Sequence, residues 1–463
     1  MTNKHHTLFL ILFFGAAILL SSCKKYLEIE APATQLTGET VFKNDATAIS
    51  AQLAIYAQME AEGFPYSMIM NTGLSSDELA NYSFNTNASD LFTNNLTADN
   101  AYVANTWNSL YKYIYQANAV LEGVLQSASL SESVKKQLTG EAKFTRAFCH
   151  FYLVNLFGDV PIAITTNYEI NAAAPRKDMM AVYDQMIQDL NEAKDLLSEN
   201  FLDNGTKTST ERVRPTKWAA LALLSRAYLY LGKWDLAAQT ASQIIANNQL
   251  FSVVSDLNKV FLKNSREAIW QLMAVLPNFN TYAGGLLILT SSPGEVALSP
   301  QLVNSFQATD KRKLNWIGSV TVGSNTYYYP YKYKVGQNVT TISEYTMVLR
   351  MGEIFLIRAE ALARQNDLDG ALNDLNVIRG RAGLTQMLAT SQPAILDSIS
   401  NERNAELFTE FGDRWLNLKR TGSVTLILQP VKGADWTPGT DELYPIPQQE
   451  IIRNPALNQN LGY

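Results

Sequence analysis

Residues 215–247 read PTKWAALALLSRAYLYLGKWDLAAQTASQIIAN, and this stretch decides the fold. Apolar side chains recur at three- and four-residue steps on either side of a break at Gly232, so each half presents one apolar helical face. Ala227 and Ala237 stand where small side chains would let the two helices approach closely. A helix, a short turn and a second helix with small residues at the contact are typical of a tetratricopeptide unit.

The same pattern returns further along the chain. Residues 351–381 read MGEIFLIRAEALARQNDLDGALNDLNVIRGR, in which Ala361 and Ala371 are separated as Ala227 and Ala237 are. Two copies in one register predict a mostly α-helical protein with a tetratricopeptide-like scaffold, and two unrelated helical hairpins are the alternative. With a further periodic region included, the expected hairpins lie near residues 107–157, 215–247 and 350–381.

The first residues have the features of a secretory signal. Lys4 precedes an apolar run over residues 8–20, which is shorter than the ~20 residues of a membrane-spanning helix. The run ends in Leu-Ser-Ser-Cys at Cys23, a pattern similar to a bacterial lipobox, in which small residues fit the peptidase and the thiol accepts the lipid. We therefore predict a signal peptide at residues 1–22, lipidation of Cys23 (diacylglycerol and palmitate), a tether at residues 23–40, and membrane attachment through the lipid alone.

Composition excludes several classes of function. The chain has 37 Lys and Arg against 43 Asp and Glu, a net charge of −6, and no basic block, so we expect no binding to nucleic acid. Outside the predicted signal peptide, His150 is the single histidine and Cys149 the single cysteine besides Cys23. A zinc site with two histidines is therefore excluded, and we expect no disulfide, metal or cofactor.

Two long regions, residues 63–106 and 251–345, lose helical periodicity and are rich in Asn and aromatic residues. Amides bind vicinal hydroxyls and rings stack on the apolar face of a sugar, so this composition is typical of carbohydrate sites, although a solvated loop with anchoring rings would share it. We predict irregular insertions with a few short strands, and a ligand site where the two regions meet. The candidate stacking rings are Tyr82, Phe84, Tyr282, Trp316 and Tyr327, and the candidate partners of sugar hydroxyls are Asp77, Asn81 and Asn100.

A series of segments gives the chain a family resemblance. They are YLEIEAPATQLTGETVFKNDATA after Cys23, WNSLYKYIYQAN at 107–118, GEAKFTRAFCHFYLVNLFGDVPI at 140–162, ERNAELFTEFGDRWLNLKRTG at 402–422 and LYPIPQQEIIRNPALNQNLGY at 443–463. In this order they resemble the SusD/RagB family of nutrient-uptake outer-membrane lipoproteins. Two departures are visible: Asn417 stands where the family commonly has Asp, and Lys24 and Lys25 interrupt the acidic export signature that some relatives carry after the lipidated cysteine.

The resemblance implies a fold and a function. Residues 41–463 would form one SusD-like helical domain, held by its lipid on the outer membrane and facing the extracellular side. The protein would capture a nutrient, most often an oligosaccharide although family ligands include peptides, and deliver it to a SusC-like TonB-dependent barrel. A tetratricopeptide lipoprotein that mediates protein–protein interactions in envelope assembly is the alternative.

Glu402, Glu406 and Glu410 are candidates for an active site. They lie at i, i+4 and i+8 of a predicted helix, about 6 Å apart per step, close to the ~5–5.5 Å between the carboxyl groups of a retaining glycosidase. Basic residues such as Arg403 and Arg414 are interleaved with them, which favours ionised salt-bridge partners over a general acid with a raised pKa. We therefore predict that the protein is not an enzyme.

The lipid anchor gives the first testable prediction. Cys23→Ala should abolish acylation and release the protein from membranes, because no other segment of the sequence is hydrophobic enough to hold it there. Membrane fractionation of cells that lack a partner transporter, with metabolic labelling by a fatty acid, measures this. Continued fractionation of the variant with membranes would contradict the prediction.

Overall fold

Helices alternate with irregular segments through residues 38–463, which are the residues that the computed structural model describes. The predicted signal peptide, Cys23 and most of the predicted tether lie outside the described residues. The chain divides into two compact units after residue 41. Helix α1 (Gly38–Val41) belongs to the first unit, and residues 42–463 form the second.

Helices dominate the second unit. They are α2 (Asp45–Ala61), α3 (Phe64–Ser75), α4 (Thr86–Thr93), α5 (Ala101–Gln126), α6 (Glu132–Phe157), α7 (Tyr168–Ala172), α8 (Met179–Leu196), α9 (Lys217–Tyr230), α10 (Trp234–Ala246), α11 (Tyr282–Leu287), α12 (Pro300–Ser305), α13 (Lys311–Trp316), α14 (Met351–Arg364), α15 (Leu368–Arg381), α16 (Gln392–Leu407), α17 (Asp413–Arg420), α18 (Val424–Lys432) and α19 (Gln448–Arg453). The strands are β1 (Leu79–Asn81), β2 (Ala268–Leu272), β3 (Val296–Leu298), β4 (Ile317–Val322), β5 (Asn325–Pro330) and β6 (Thr346–Arg350).

Three helical hairpins form the scaffold. They are α5 with α6, α9 with α10, and α14 with α15, and they lie where the periodicity places them. Helix α8 packs against both α6 and α9, and α10 packs against α14, so that the hairpins stack side by side. The predicted mostly α-helical fold with a few short strands is confirmed.

Helix α9 lies at the centre of this stack. It contacts α8, α10 and α14, and every residue from Ala219 to Leu229 is buried. The run of alanines and leucines in its sequence follows from this position, because a helix covered on all sides needs small or apolar residues all round. Its buried Arg226 is paired with Glu353 in the first turn of α14, at 2.7 and 2.6 Å.

The strands form three antiparallel pairs, β1 with β3, β2 with β6 and β4 with β5. The first pair joins residues 63–106 to residues 251–345. The second runs directly into α14, since Arg350 ends β6 and precedes Met351. The short sheets therefore attach the irregular regions to the helical scaffold. Between residues 38 and 463, no helix combines the length and apolarity that crossing a bilayer requires.

Close packing within the hairpins gives the second prediction. Ala237 and Ala371 are fully buried, in α10 and α15. Replacing either by Leu should destabilise the fold by about 1–3 kcal/mol, because extra methylene groups force packed helices apart. Thermal melting of Ala237→Leu and Ala371→Leu measures this, with Ala246→Leu at the exposed end of α10 as the matched control. Wild-type melting of both buried variants would show that these positions are not close helix contacts.

Candidate functional site

The two irregular regions meet at the short sheet formed by β1 and β3. Leu79 pairs with Leu298, and Asn81 pairs with Val296. The pairing extends past β1, because the Tyr82 N–H donates to the Glu295 carbonyl at 2.7 Å. Tyr82 and Glu295 are therefore fixed side by side although they are distant in the sequence.

The β4–β5 hairpin packs beside β3 and adds a ring at this place. Tyr327 on β5 meets Tyr82 edge to face, with ring centroids 5.5 Å apart and ring planes at 86°. Tyr82 is 42% exposed, and Phe84 is fully exposed. Rings held in a fixed orientation at the surface offer contact area at low entropic cost to a ligand.

A second group of rings is joined to the first through Glu295. The Tyr66 hydroxyl donates to Glu295 Oε2 at 2.7 Å, and the Tyr66 ring stacks on Tyr282 with centroids 6.3 Å apart and planes at 28°. Tyr282 stacks in turn on Phe279 at 6.0 Å and 27°. The Tyr282 hydroxyl donates to the Ala61 carbonyl at 3.1 Å, which fixes the middle ring of the row.

Two local features support this row. Gly63 has a left-handed φ of 67°, and a Cβ there would lie 3.3 Å from the Tyr282 ring, so glycine suits both the turn and the close contact. Burial, and then the Glu295 carboxylate, raise the pKa of Tyr66, which keeps its hydroxyl a donor. We call the whole group the aromatic surface. It consists of Tyr66, Tyr82, Phe84, Phe279, Tyr282, Tyr327 and Glu295.

A polar cleft of about 250 Å³ lies between the start of α3 and the N-terminal half of α5. Burial, and then the Glu295 carboxylate, raise the pKa of Tyr102 in the first turn of α5. Asn105, one turn after Tyr102, lines the cleft together with Asn108 and Ser67. Ser67 directly follows Tyr66 of the aromatic surface in α3, so the polar cleft adjoins that surface along this helix.

The structure places four of the five predicted rings on the aromatic surface, and the fifth elsewhere. The prediction that Trp316 is a stacking platform is wrong, because its side chain is fully buried and its indole N–H donates to the Leu257 carbonyl at 2.9 Å. Its ring lies under the cations of Lys332, Arg350 and Arg381, at 5.0 to 5.8 Å from the centroid.

The three side chains predicted to bind sugar hydroxyls make hydrogen bonds or ion pairs within the protein. Asn100 is the buried N-cap of α5, whose side-chain oxygen accepts from the N–H groups of Tyr102 and Val103, so its prediction as a ligand group is wrong. Asp77 is held by the Arg414 guanidinium at 2.7 and 2.6 Å. The Asn81 side chain is engaged within its own loop, where it accepts from the Ser83 N–H at 2.9 Å and donates to Ser89 Oγ at 3.2 Å. Asp77 and Asn81 are half-buried, and their role as ligand groups stays a prediction.

Sequence reasoning missed Tyr66, Phe279 and Glu295. Tyr66 lies in α3, a helix whose residues are almost all buried, and a helix without a polar face has no amphipathic periodicity to detect. Glu295 had one signal in the sequence, since it is the single charged residue between Glu267 and Asp310.

The three glutamates of α16 and the residues after it belong to a buried ion cluster. Glu406 is fully buried between Arg312 and Arg350, at 3.0 and 2.6 Å, and is also paired with Arg381. Burial alone would raise the pKa of Glu406, but the guanidinium groups of Arg381, Arg350 and Arg312 outweigh it and hold the pKa well below its ordinary value. A general acid requires the opposite. The ion cluster consists of Glu267, Asp310, Arg312, Lys332, Arg350, Arg381, Glu402, Glu406 and Glu410.

Neither the ion cluster nor the Cys149–His150 pair offers a substrate site. The cavity beside Arg350 and Glu410 holds about 20 Å³, room for a water molecule but not for a sugar. Burial raises the pKa of the Cys149 thiol and lowers the pKa of His150 to about 4, so both groups are neutral near pH 7. Among the described residues, no group of three or more His, Cys, Asp or Glu side chains is placed to hold a metal ion.

The fold defines the class, a mostly α-helical protein with tetratricopeptide-like hairpins, and comparison with known proteins gives the family. Residues 25–229 match the family described as "Starch-binding associating with outer membrane", and residues 299–463 match the SusD family itself. Neither match includes residues 230–298. The chain belongs to the SusD family.

Relatives and solved structures agree with this assignment. SusD-like proteins of Formosa agariphila and Bacteroides ovatus are each 24% identical, the first over 96% of this chain and 97% of the relative, the second over 88% and 81%. A SusD homolog from Bacteroides thetaiotaomicron has a TM-score of 0.81 at 20% identity, covering 92% of this chain and 98% of that one. A laminarin-binding SusD-like protein has a TM-score of 0.76 at 23% identity, covering 91% of this chain and all of that one.

The ion cluster gives the third prediction. Glu406→Gln should cost roughly 3–5 kcal/mol of unfolding free energy at pH 7, because it leaves buried guanidinium groups without their partner. Glu406 has a folded pKa below its unfolded value of about 4.3, so its contribution is fully present above pH ~4.3 and is lost as the pH falls through the folded pKa. Urea unfolding at several pH values measures the difference between variant and wild type, which should shrink in acid.

Glu450→Gln is the control for this experiment. Glu450 pairs with the exposed Arg453 at 2.7 Å on the surface of α19, and an exposed pair contributes at most about 1 kcal/mol. A loss no larger for Glu406→Gln than for Glu450→Gln would contradict the structural role of the cluster.

Proposed function

We propose that this protein is a lipid-anchored, non-enzymatic binding protein that captures oligosaccharides outside the cell. The aromatic surface would stack on the apolar faces of the sugar rings, and the amides and hydroxyls of the polar cleft would bind sugar hydroxyls. The single observation that carries the proposal is this row of partly exposed rings, assembled by the β1–β3 pairing from the two irregular regions. Membership of a family described as starch-binding supports it, as does the laminarin-binding neighbour.

We further propose that the captured oligosaccharide passes to a SusC-like TonB-dependent barrel in the outer membrane. The family description, which includes association with the outer membrane, supports this location. A lipid at Cys23 would keep the domain close to such a barrel. The binding site would face the extracellular side, and the protein would need no cofactor because it carries out no chemistry on the sugar.

The rings of the aromatic surface give the fourth prediction. Tyr82→Ala and Tyr327→Ala should each weaken oligosaccharide binding roughly fivefold, since a stacked ring contributes about 1 kcal/mol. Neither variant should melt at a lower temperature, because both rings lie at the surface and each borders solvent. Isothermal titration with laminarin and with starch fragments, on the domain lacking residues 1–23, measures binding.

Two variants control this experiment. Tyr168→Ala removes a ring that is 76% exposed on α7, outside the aromatic surface, and should leave binding unchanged. Trp316→Phe should lower stability, because its indole hydrogen bond and cation contacts are buried. Lower stability with unchanged affinity in the Tyr82 and Tyr327 variants would show that these rings belong to the core. If neither laminarin, nor starch fragments, nor any glycan of a broad array binds, the proposed function is wrong, and a scaffold protein that binds other proteins is favoured.

A further inference from the structure

The segments that supply the aromatic surface contain no basic residue. Residues 63–111, 267–310 and 314–331 have no Lys, Arg or His, although Lys and Arg account for 37 of the 463 residues of the chain. These segments provide all of the surface's rings, and the β4–β5 hairpin within the last of them has no charged residue of either sign. The segments around the site therefore lack the cationic side chains that commonly bind carboxylate and sulfate groups.

Cations from other segments that contact this neighbourhood are engaged within the protein. Lys334 and Lys432 donate to backbone carbonyls of segments 314–331 and 63–111, and two further cations are held in ion pairs. Lys112, which lines the polar cleft, binds both carboxylate oxygens of Glu62. Arg414 binds Asp77 through two parallel hydrogen bonds of 2.7 and 2.6 Å. A ligand anion that drew on Lys112 or Arg414 would have to break an ion pair and leave a carboxylate uncompensated, and one that drew on Lys334 or Lys432 would have to displace the lysine from its carbonyl partners.

The acidic side chains on the same segments accept hydrogen bonds from within the protein. Asp90 accepts from the Asn100 amide and Asp99 from the Thr97 hydroxyl. Glu78 is buried and accepts from the Thr409 N–H. Glu295, like Asp99, is exposed and accepts from one hydroxyl, that of Tyr66, and within residues 38–463 it has no basic side chain in an ion pair. Its position beside Tyr66 and Tyr82 of the aromatic surface distinguishes it.

Glu295 is placed and oriented for a ligand. Its backbone carbonyl is fixed by the Tyr82 N–H, and its Oε2 by the Tyr66 hydroxyl, so the carboxylate stands between the two groups of rings with Oε1 open. A carboxylate accepts hydrogen bonds from two hydroxyls at once, and such charge-assisted bonds are stronger than neutral ones. The same fixed negative charge repels a uronate or a sulfate ester, which would lose hydration without gaining a cation.

We propose that the aromatic surface selects neutral oligosaccharides against uronate-containing and sulfated ones, and that Glu295 is the group that binds sugar hydroxyls and sets this selectivity. This inference rests on the proposed function, because it assigns the substrate class of the same surface. It concerns the charge of the ligand and not its sugar sequence.

Matched pairs of probes test the selectivity. Laminarin is compared with laminarin sulfate, dextran with dextran sulfate, and a neutral galactan with polygalacturonate, by glycan array and then by titration. For at least one pair we expect binding of the neutral member and at least tenfold weaker binding of the charged one. The discrimination should decrease at higher salt, because screening weakens repulsion between exposed charges.

Variants of Glu295 test its role. Glu295→Gln should weaken binding of the neutral probe about tenfold and reduce the discrimination against the sulfated probe, because the charge is removed. Glu295→Lys should lose the neutral probe and gain the sulfated one. Asp99→Asn is the matched control, since it removes an exposed carboxylate of the same irregular region that is bonded to Thr97, and it should change neither affinity. Melting temperatures of all three should equal that of the wild type.

The outcomes separate the inference from the function. Preference of the wild type for the sulfated or uronate member of the pairs overturns the selectivity while leaving an oligosaccharide-binding protein. Unchanged affinity and unchanged discrimination in Glu295→Gln overturn the role of Glu295. Absence of binding to every probe, neutral or charged, overturns the inference together with the proposed function.

Discussion

The buried ion cluster is the interaction on which the arrangement of the molecule depends. Arg350, at the end of β6, bonds to Glu267, which precedes β2, and to Glu406 in α16, at 2.8 and 2.6 Å. Arg312 brings α13 to the same carboxylate, and Arg381 brings the end of α15. One set of opposite charges thus joins the last helical hairpin, the following helix and the second irregular region.

Such a cluster is costly to form and more costly to break. Each ion loses its hydration on burial, and the attraction between charges offsets that loss only where every charge has a partner. Phe261, Trp316 and Phe408 complete the cluster by presenting ring faces to Lys332 at 4.1 to 5.5 Å. The cluster therefore fixes the orientation of the segment 311–350, and with it the β4–β5 hairpin that carries Tyr327, more than it adds to stability.

Periodicity was sufficient to predict the helical hairpins but not the contents of the site. The spacing of residues such as Leu221, Ala227 and Ala237 predicts that they are buried, because a helix repeats every 3.6 residues and this spacing places them on one face. Tyr282 and Tyr327 could be chosen as surface rings since they lie outside helical patterning. Trp316 also lies outside helical patterning, yet its side chain is part of the core. Its burial depends on cations from distant segments, and these leave no pattern in the local sequence. The amide of Asn100 and the carboxylate of Asp77 have the chemistry of a sugar-binding group, but the cap of α5 and the ion pair with Arg414 require the same chemistry.

The three-residue pairing of β1 with β3 brings together parts of the chain that match the family models and a part that does not. Tyr66 and Tyr82 come from the part of the chain that matches one family description, and Tyr327 from the part that matches the other. Phe279, Tyr282 and Glu295 come from residues 230–298, which neither description includes. Half of the aromatic surface thus comes from segments that match the family models, whereas its centre comes from the stretch that neither match includes. Substitutions within residues 230–298 would therefore alter the centre of this surface while leaving both matched segments unchanged.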